Sequence, residues 1–195
     1  MKVFVVHCHP DPDSLIAAAR DRAVAALRDA GHEVRVTDLY AEGFRPELSA
    51  WERDHQLDPP DTKPDIGEHA AALRWCDALL LSYPTWWAGQ PAMLKGWLDR
   101  VWVSGVAYVL PDGSDRIRPL LGNIRRIVVV TSHGSSKLVN MLEGEGGKRV
   151  VTRALRVLCH RFARTTWVAA YGLDRSTPES RAAFLDRVER VMRRL

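Results

Sequence analysis

Three short segments of the chain gather residues able to do chemistry. In the first, His9-Pro10-Asp11-Pro12-Asp13-Ser14, an imidazole and a hydroxyl stand just ahead of an apolar run with helical spacing. The free N–H groups and positive dipole end of a helix start suit a phosphate, and His9 and Ser14 can add hydrogen-bond donors. The second, Pro84 to Gln90, sets paired indoles, Trp86 and Trp87, between a proline and a glycine. Paired indoles in a loop either lid a core or hold a flat ring. The third, Thr131-Ser132-His133-Gly134-Ser135-Ser136, offers backbone N–H groups at Ser132, His133 and Gly134. Such donors stabilise an atom that becomes negative during a reaction. A plainer reading stands beside each: a capped helix with a rigid proline entry, an apolar lid, a strand-to-helix turn. The first segment contains no glycine and is not a Walker loop. Asp11 and Asp13 within it oppose an anion unless they point outward.

The elements that must position these segments alternate strand and helix. Lys2 to His7 reads as a buried first strand and Glu33 to Leu39 as a second. Asp77 to Tyr83, apolar on both faces, is the third, Ile124 to Ser132 the fourth and Thr165 to Tyr171 the fifth. Ser14 caps a helix in which Leu15, Ala18, Ala19, Ala23, Ala26, Leu27 and Ala30 recur at helical spacing before Gly31. Further helices are predicted from Ile66 to Trp75, from Pro91 as first helical residue to about Trp102, from Lys148 to Arg161, and from Thr177-Pro178-Glu179 to Arg194. The polar segment from Tyr40 to Lys63, with Pro46, Pro59 and Pro60, carries at most a short helix around Ser49 to His55. Apolar central strands alternating with helices mean a parallel sheet covered on both faces. Right-handed crossovers then leave an α/β, flavodoxin-like fold as the best fit, a five-stranded parallel sheet in the order 2-1-3-4-5. Ligands of such sheets bind beyond the carboxyl ends of the strands, where all three segments fall. At that edge the flat-ring reading of the indoles prevails over the lid.

With 195 residues and 46% apolar content, the chain makes a single domain, 1–195. A domain of that size buries roughly 70% of the surface its unfolded chain exposes. A charged fraction of 27% with seven tryptophans excludes a disordered chain. No uncharged apolar run approaches the ~18–20 residues of a membrane span. His7, His9, Asp11 and Asp13 come too early for a signal peptide, so a soluble, cytoplasmic location is expected. A net charge of +4 is too modest to require nucleic acid. Cys8, Cys76 and Cys159 are too few and too scattered for a disulfide framework or a zinc ribbon. His7 and His9 around Cys8 lack a third ligand, so no metal is expected.

The segment Val5 to Ser14, followed by Asp38-Leu39-Tyr40-Ala41, Phe44, Pro46 and Ser49, is similar to the opening of the NAD(P)H:quinone oxidoreductase family, the DT-diaphorase-like branch of flavodoxin-fold flavoproteins. Tyr83 to Val101 resembles that family's aromatic-Pro-x-x-Trp-x-x-x-Pro-Ala-x-Leu-Lys-Gly-Trp-x-x-Arg-Val block nearly throughout, and Gly105 to Tyr108 its following Gly-x-Ala-Tyr. The likeness thins out beyond the Gly134 turn. It implies a non-covalent flavin, FMN or FAD, reduced by NAD(P)H and reoxidised by a quinone or similar acceptor in a ping-pong cycle. The family is typically homodimeric, with the partner subunit completing each site. Carried across, His9, Ser14, Leu15 and Ile16 flank the flavin phosphate. Pro84, Thr85, Trp86, Trp87 and Ala88 run along the isoalloxazine, and Thr131, Ser132, His133 and Gly134 face its polar edge. Trp87 and His133 are then the catalytic candidates, one building the shelf on which a nicotinamide stacks, the other stabilising the reduced ring's negative edge.

The chain departs from the family where Leu15-Ile16 replaces Phe-Asn and where Thr131-Ser132-His133-Gly134 replaces Thr-Thr-Gly-Gly. The family's later tyrosine and histidine fall near Val139 and Gly146. These losses keep a second function open, a flavodoxin-like regulatory or ancillary subunit docked on a partner protein such as a transporter. FMN and FAD both stand: the Tyr40–Lys63 loop resembles FAD users, while the lost amide and compact length favour FMN. Lys148, Arg149, Arg153, Arg156, Arg161 and Arg164, with no carboxylate among them, read first as a solvated face. Their alternatives are a phosphate of NADPH or FAD, or an anionic membrane surface. Lys95, Asp99 and Arg100 are expected on a solvated or dimer face, Tyr108 in packing or at the pocket, and Cys76 and Cys159 as small buried residues.

Overall fold

The computed structural model describes residues 1–58 and 66–195. Pro59, Pro60 and Lys63, and with them the end of the predicted polar segment, lie outside the described residues. The elements in chain order are β1 (Lys2–His7), α1 (Leu15–Asp29), β2 (Glu33–Asp38), α2 (Ala50–Asp54), α3 (Gly67–Trp75), β3 (Ala78–Pro84) and α4 (Ala92–Val101). There follow β4 (Tyr108–Val109), β5 (Arg118–Pro119), β6 (Arg126–Ser132), α5 (Lys137–Leu142), α6 (Gly146–Arg149), β7 (Arg164–Ala170) and α7 (Pro178–Met192). Five strands form one sheet in the order β2-β1-β3-β6-β7, all neighbours parallel. Counted among themselves, those strands run 2-1-3-4-5, the order expected as the best fit. β4 and β5 form a separate antiparallel pair that the sequence pattern does not announce, each strand being two residues long.

The period-2 pattern of the strands divides the core into two layers. Phe4, Val6, Leu79, Leu81, Ile127 and Val129 pack on one side with Leu73 of α3, Trp97 of α4 and the segment after α6. Val3, Val5, Leu80, Val128 and Val130 pack on the other with Ala23 and Leu27 of α1 and Phe184 and Val188 of α7. β3, central and covered twice, is buried at every residue, which is why it reads as an unbroken apolar run. Ser14 caps α1 by accepting the Ala17 N–H, and Gly31 follows the helix at φ +79°, a conformation that favours glycine. Among the described residues no helix is long and apolar enough to cross a membrane.

Three expectations need correction. Pro91 is the N-cap of α4, because its ψ of 151° is extended and the helix begins at Ala92. The predicted helix from Lys148 to Arg161 is broken into α6, a π-helical turn over Val150–Leu155 and a 3-10 turn over Arg156–Leu158, ending at an extended Cys159. The wider π turn keeps Val151 and Leu155 on the core side while Arg153 stays exposed. Arg100 is not solvated. It is 4% exposed, its Nε lies 2.7 Å from Glu52 Oε1, and it also donates to the Arg45 carbonyl. Lys95 and Asp99 do pair on the exposed face of the same helix.

The Arg100–Glu52 pair clamps the segment from Phe44 to Asp54 onto α4. Gly96 permits the approach: a Cβ there would meet the Pro46 carbonyl oxygen at 2.2 Å. Burial alone would raise the Glu52 carboxyl, but hydrogen bonds from the Ser49 backbone and from Arg100 outweigh it and hold the group below its ordinary pKa. Its contribution to stability is therefore complete above the ordinary carboxylate pKa and lost as pH falls through the lower folded value. Replacing Glu52 with alanine leaves a buried guanidinium without its carboxylate. The expected cost is about 3–5 kcal/mol, measured as a lower urea midpoint at neutral pH with the slope unchanged.

Candidate functional site

The carboxyl ends of β1, β3, β6 and β7 meet at one rim, where a cavity of about 490 Å³ opens. Its lining includes His9, Ser14, Leu15 and Ile16 after β1, Pro84, Thr85, Trp86 and Trp87 after β3, and Ser132 and Gly134 after β6. Leu173 and Asp174, from the loop after β7, complete it. Sequence reasoning missed these two, although β7 ends at the same edge and the rule that pointed to the other loops applies to its loop as well.

Each wall is fixed locally. Ser14 turns its hydroxyl to the Ala17 N–H at 3.1 Å, and the N–H groups of Leu15 and Ile16 find no acceptor among the described residues. These are the orphan donors of a helix start, and they border the cavity. His9 Nδ1 lies 3.0 Å from both the N–H and the carbonyl oxygen of Asp11, which ties the ring to its own loop. Asp11 accepts the Asp13 N–H at 2.9 Å, and both aspartates are exposed and outside the cavity lining.

The tryptophan loop is a tight two-residue turn. Trp86 and Gly89 exchange backbone hydrogen bonds of 3.2 and 3.0 Å, and the residues between them, Trp87 and Ala88, sit at φ +49° and +56°. Two positive φ values make the turn primed, a geometry that normally selects asparagine or glycine. Each such residue costs on the order of 1–3 kcal/mol, a strain characteristic of functional sites. Gly147 holds the turn by donating to the Ala88 carbonyl at 2.7 Å, and Gln90 Nε2 donates to the Gly147 carbonyl at 2.8 Å. A Cβ on Gly147 would come within 3.1 Å of the Gly89 backbone, so the two segments pack tightly here and a larger residue would press on the turn. Trp87 stands fully exposed at the tip, while Trp86 is half-exposed with its ring centroid 6.3 Å from that of His9.

Three predicted contacts lie outside the main cavity. Thr131 is buried and shares a 2.9 Å hydrogen bond with the Thr85 hydroxyl, so it braces the tryptophan loop from behind. Ala88 and His133 line a neighbouring cavity of about 200 Å³ with Thr85, Trp87, Gly134, Ser135, Asn140 and Glu143. The His133 N–H is taken by the Ala170 carbonyl at 2.8 Å, which removes it from the set of donors expected at this turn. Its ring stacks on Tyr171, centroids 4.6 Å apart and planes 13° from parallel, and burial lowers its pKa. Gly134 lies against the Asp174 side chain of the β7 loop: a Cβ there would meet the carboxylate at 2.9 Å and push that side chain aside.

His7 and Cys8 face inward from the end of β1. Burial pulls the His7 pKa down to about 4 and pushes the Cys8 thiol up to about 12. Cys76 and Cys159 are likewise buried, and Tyr108 packs against the core.

A family model described as a flavodoxin-like fold matches residues 1–195. The chain belongs to that family. This flavodoxin-like chain is 35% identical over 131 residues to the ribosyldihydronicotinamide dehydrogenase-like protein traD of Penicillium crustosum, covering 60% of the chain and 49% of that protein. Against NAD(P)H dehydrogenase [quinone] 1 of Rattus norvegicus it is 26% identical, covering 95% of the chain and 74% of that protein. The match thus spans about half of the first relative and about three quarters of the second. The NAD(P)H:quinone oxidoreductase of Methanothermobacter marburgensis superposes with a TM-score of 0.83 at 28% identity, covering 99% of this chain and 96% of that one.

The exposure of Trp87 decides against the lid reading of the indoles. Trp87→Ala is expected to unfold within about 0.5 kcal/mol of the parent protein. Trp97→Ala, which empties a fully buried site, is expected to lose about 3–5 kcal/mol in the same denaturant titration.

Proposed function

We propose that the protein is a flavin-dependent oxidoreductase that passes a hydride from NAD(P)H, by way of a non-covalent flavin, to a quinone or similar acceptor. The observation that carries this reading is the convergence at one cavity of unpaired helix-start N–H groups, a strained indole turn and a glycine-bearing polar turn. A cavity of about 490 Å³ suits a cofactor-sized ligand. The Leu15 and Ile16 N–H groups, His9 and Ser14 would hold its phosphate. Pro84, Thr85 and Trp86 would lie along the ring, and Ser132 and the Gly134 turn would meet its polar edge.

A flavin, once bound, supplies the hydride relay between nicotinamide and acceptor. The protein's part is orientation and electrostatics. Trp87, raised on its strained turn, offers an indole face against which a nicotinamide ring can stack at reacting distance. The orphan N–H groups would anchor the phosphate, while the Gly134 turn is fixed in advance of the reaction and needs no reorganisation as charge builds up at the ring edge beside it. Donor and acceptor share this shelf in turn, which makes the kinetics ping-pong.

A second cavity of about 300 Å³ shares Leu15 and Leu173 with the first and is lined by Ser176, Ser180, Arg181 and Arg187. Room and cationic donors for a second phosphate and a nucleoside favour FAD over FMN. Beside the rim, α5 presents exposed Leu138, Met141 and Leu142. Exposed apolar side chains of this kind suit burial against a second copy of the chain, which would make the protein a homodimer.

The purified protein is expected to be yellow, its absorbance near 450 nm bleaching with NADPH and returning with a quinone. Colourless protein that takes up no added flavin would overturn the proposal. Denaturation should release FAD by mass; FMN would show that the second cavity is not used by the cofactor. Trp87→Ala should retain less flavin or be reduced more slowly, and sedimentation of the parent should give twice the chain mass.

A further inference from the structure

The proposed redox chemistry makes no use of a cavity of about 330 Å³ at the open edge of the sheet. It shares no lining residue with the main cavity. β7 ends the strand order and supplies the cavity floor, from Thr166 to Ala169. The Arg164 N–H and the Ala170 carbonyl bond to Arg125 and His133, which flank β6. Neighbouring residues of a strand turn their backbone groups to opposite sides, so those of Trp167 and Ala169 face the open edge. Their N–H groups meet no acceptor among the described residues, while the Ala169 carbonyl accepts from the Arg187 guanidinium. Around this floor stand three cations from three helices, Lys137 of α5, Lys148 of α6 and Arg187 of α7, and no carboxylate lines the cavity. Glu145 pairs with Lys148 at 2.9 Å, whereas Lys137 and Arg187 have no carboxylate partner among the described residues. Gathering like charges around one void is unfavourable until an anion enters it. Lysines also guard sheet edges against strand addition, but a guard needs no void, and Arg187 is turned inward onto the strand itself.

We propose that this edge cavity binds the phosphate monoester of a small sugar. Lys137, Arg187 and the Ala169 N–H hold the phosphate. The Thr166 hydroxyl and the Trp167 carbonyl, both without a hydrogen-bond partner among the described residues, accept the sugar hydroxyls. A phosphate monoester carries close to two negative charges at neutral pH, which the two unpaired cations match. Arg187 is held in place by the Ala169 carbonyl and keeps its other N–H donors for ligands, here and in the second cavity that it also borders. Outward N–H groups at the edge of a sheet make an anion-binding concavity of their own. Size sets the class. A cavity of about 150 Å³ holds a single six-membered ring, so one of about 330 Å³ takes such a ring with its phosphate and excludes a dinucleotide. The inference stands apart from the flavin reading.

The test is a calorimetric titration with glucose 1-phosphate, run with FAD in excess so that the anion donors of the main cavity are occupied; one site is expected. Methyl glucoside should give no heat, and inorganic phosphate should bind about fivefold more weakly for want of the hydroxyl contacts. Lys137 is exposed, so Lys137→Ala should fold as the parent does and raise Kd about fivefold, the upper end for one solvent-exposed ion pair. Lys148→Ala, whose charge Glu145 already shares, should raise it by less than about twofold. In amide spectra the Trp167 and Ala169 resonances should move along the same binding curve. No binding of glucose 1-phosphate, equal affinity for inorganic phosphate, an unmoved Kd in Lys137→Ala, or resonance shifts confined to main-cavity residues such as Ser14 and Gly134 would each overturn the site. Protein that takes up no flavin defeats the redox reading alone, because the Trp167 and Ala169 amides report on the edge cavity directly.

Discussion

The parallel register of the sheet is the constraint on which the rest of the molecule depends. His7 stands opposite Ser82, Pro84 opposite Ser132, and Ser132 opposite Ala170. β3, β6 and β7 therefore stop in step and β1 two residues earlier, and the loops that leave them crowd onto one rim. Within the sheet the ladder occupies the backbone, and β3 is buried throughout, so no polar site can form there. Just past the last ladder bonds the backbone changes role. The starting N–H groups of α1 have no partner, and they sit where the loops after β3, β6 and β7 can close around a ligand.

The rim is stiff because each loop is held by a neighbour. Thr85 is bonded to the Ser132 carbonyl through its N–H and to the Thr131 hydroxyl through its side chain. Ala88 is held from outside by Gly147, at the start of the irregular helical segment. Those bonds sustain two non-glycine residues at positive φ, a conformation that a free loop would relax. Behind the turn, α4 is anchored by the buried Arg100–Glu52 pair and by the close seating of Pro46 on Gly96. The indoles are displayed on a rigid mount, as a stacking surface requires.

Legibility from sequence followed element length and burial. β1, β3 and β6 were found within a residue or two because their apolar runs are buried on both faces, and α1 because its cap and its terminal glycine carry their own chemistry; β7, the half-buried edge strand, was found within one residue. β4 and β5 were invisible, since two-residue strands have no period to detect. α5 was missed because its apolar residues face outward, so its pattern does not look amphipathic toward a core. Arg100 was misplaced because its carboxylate lies 48 positions away, beyond any helical spacing.

The sequence by itself determined the layer architecture, the strand order and which three segments would share an edge. These follow from periodicity, caps and the handedness of crossovers, all local or generic. Only the tertiary structure decided which of those residues border the main cavity. It moved Thr131 behind the wall, turned Ala88 and His133 into the side cavity, and brought Leu173 and Asp174 in from a fifth strand. The reason is that a strand fixes where its loop begins, whereas the direction of each side chain in that loop is set by hydrogen bonds to residues far away in the chain. No spacing rule encodes such partners.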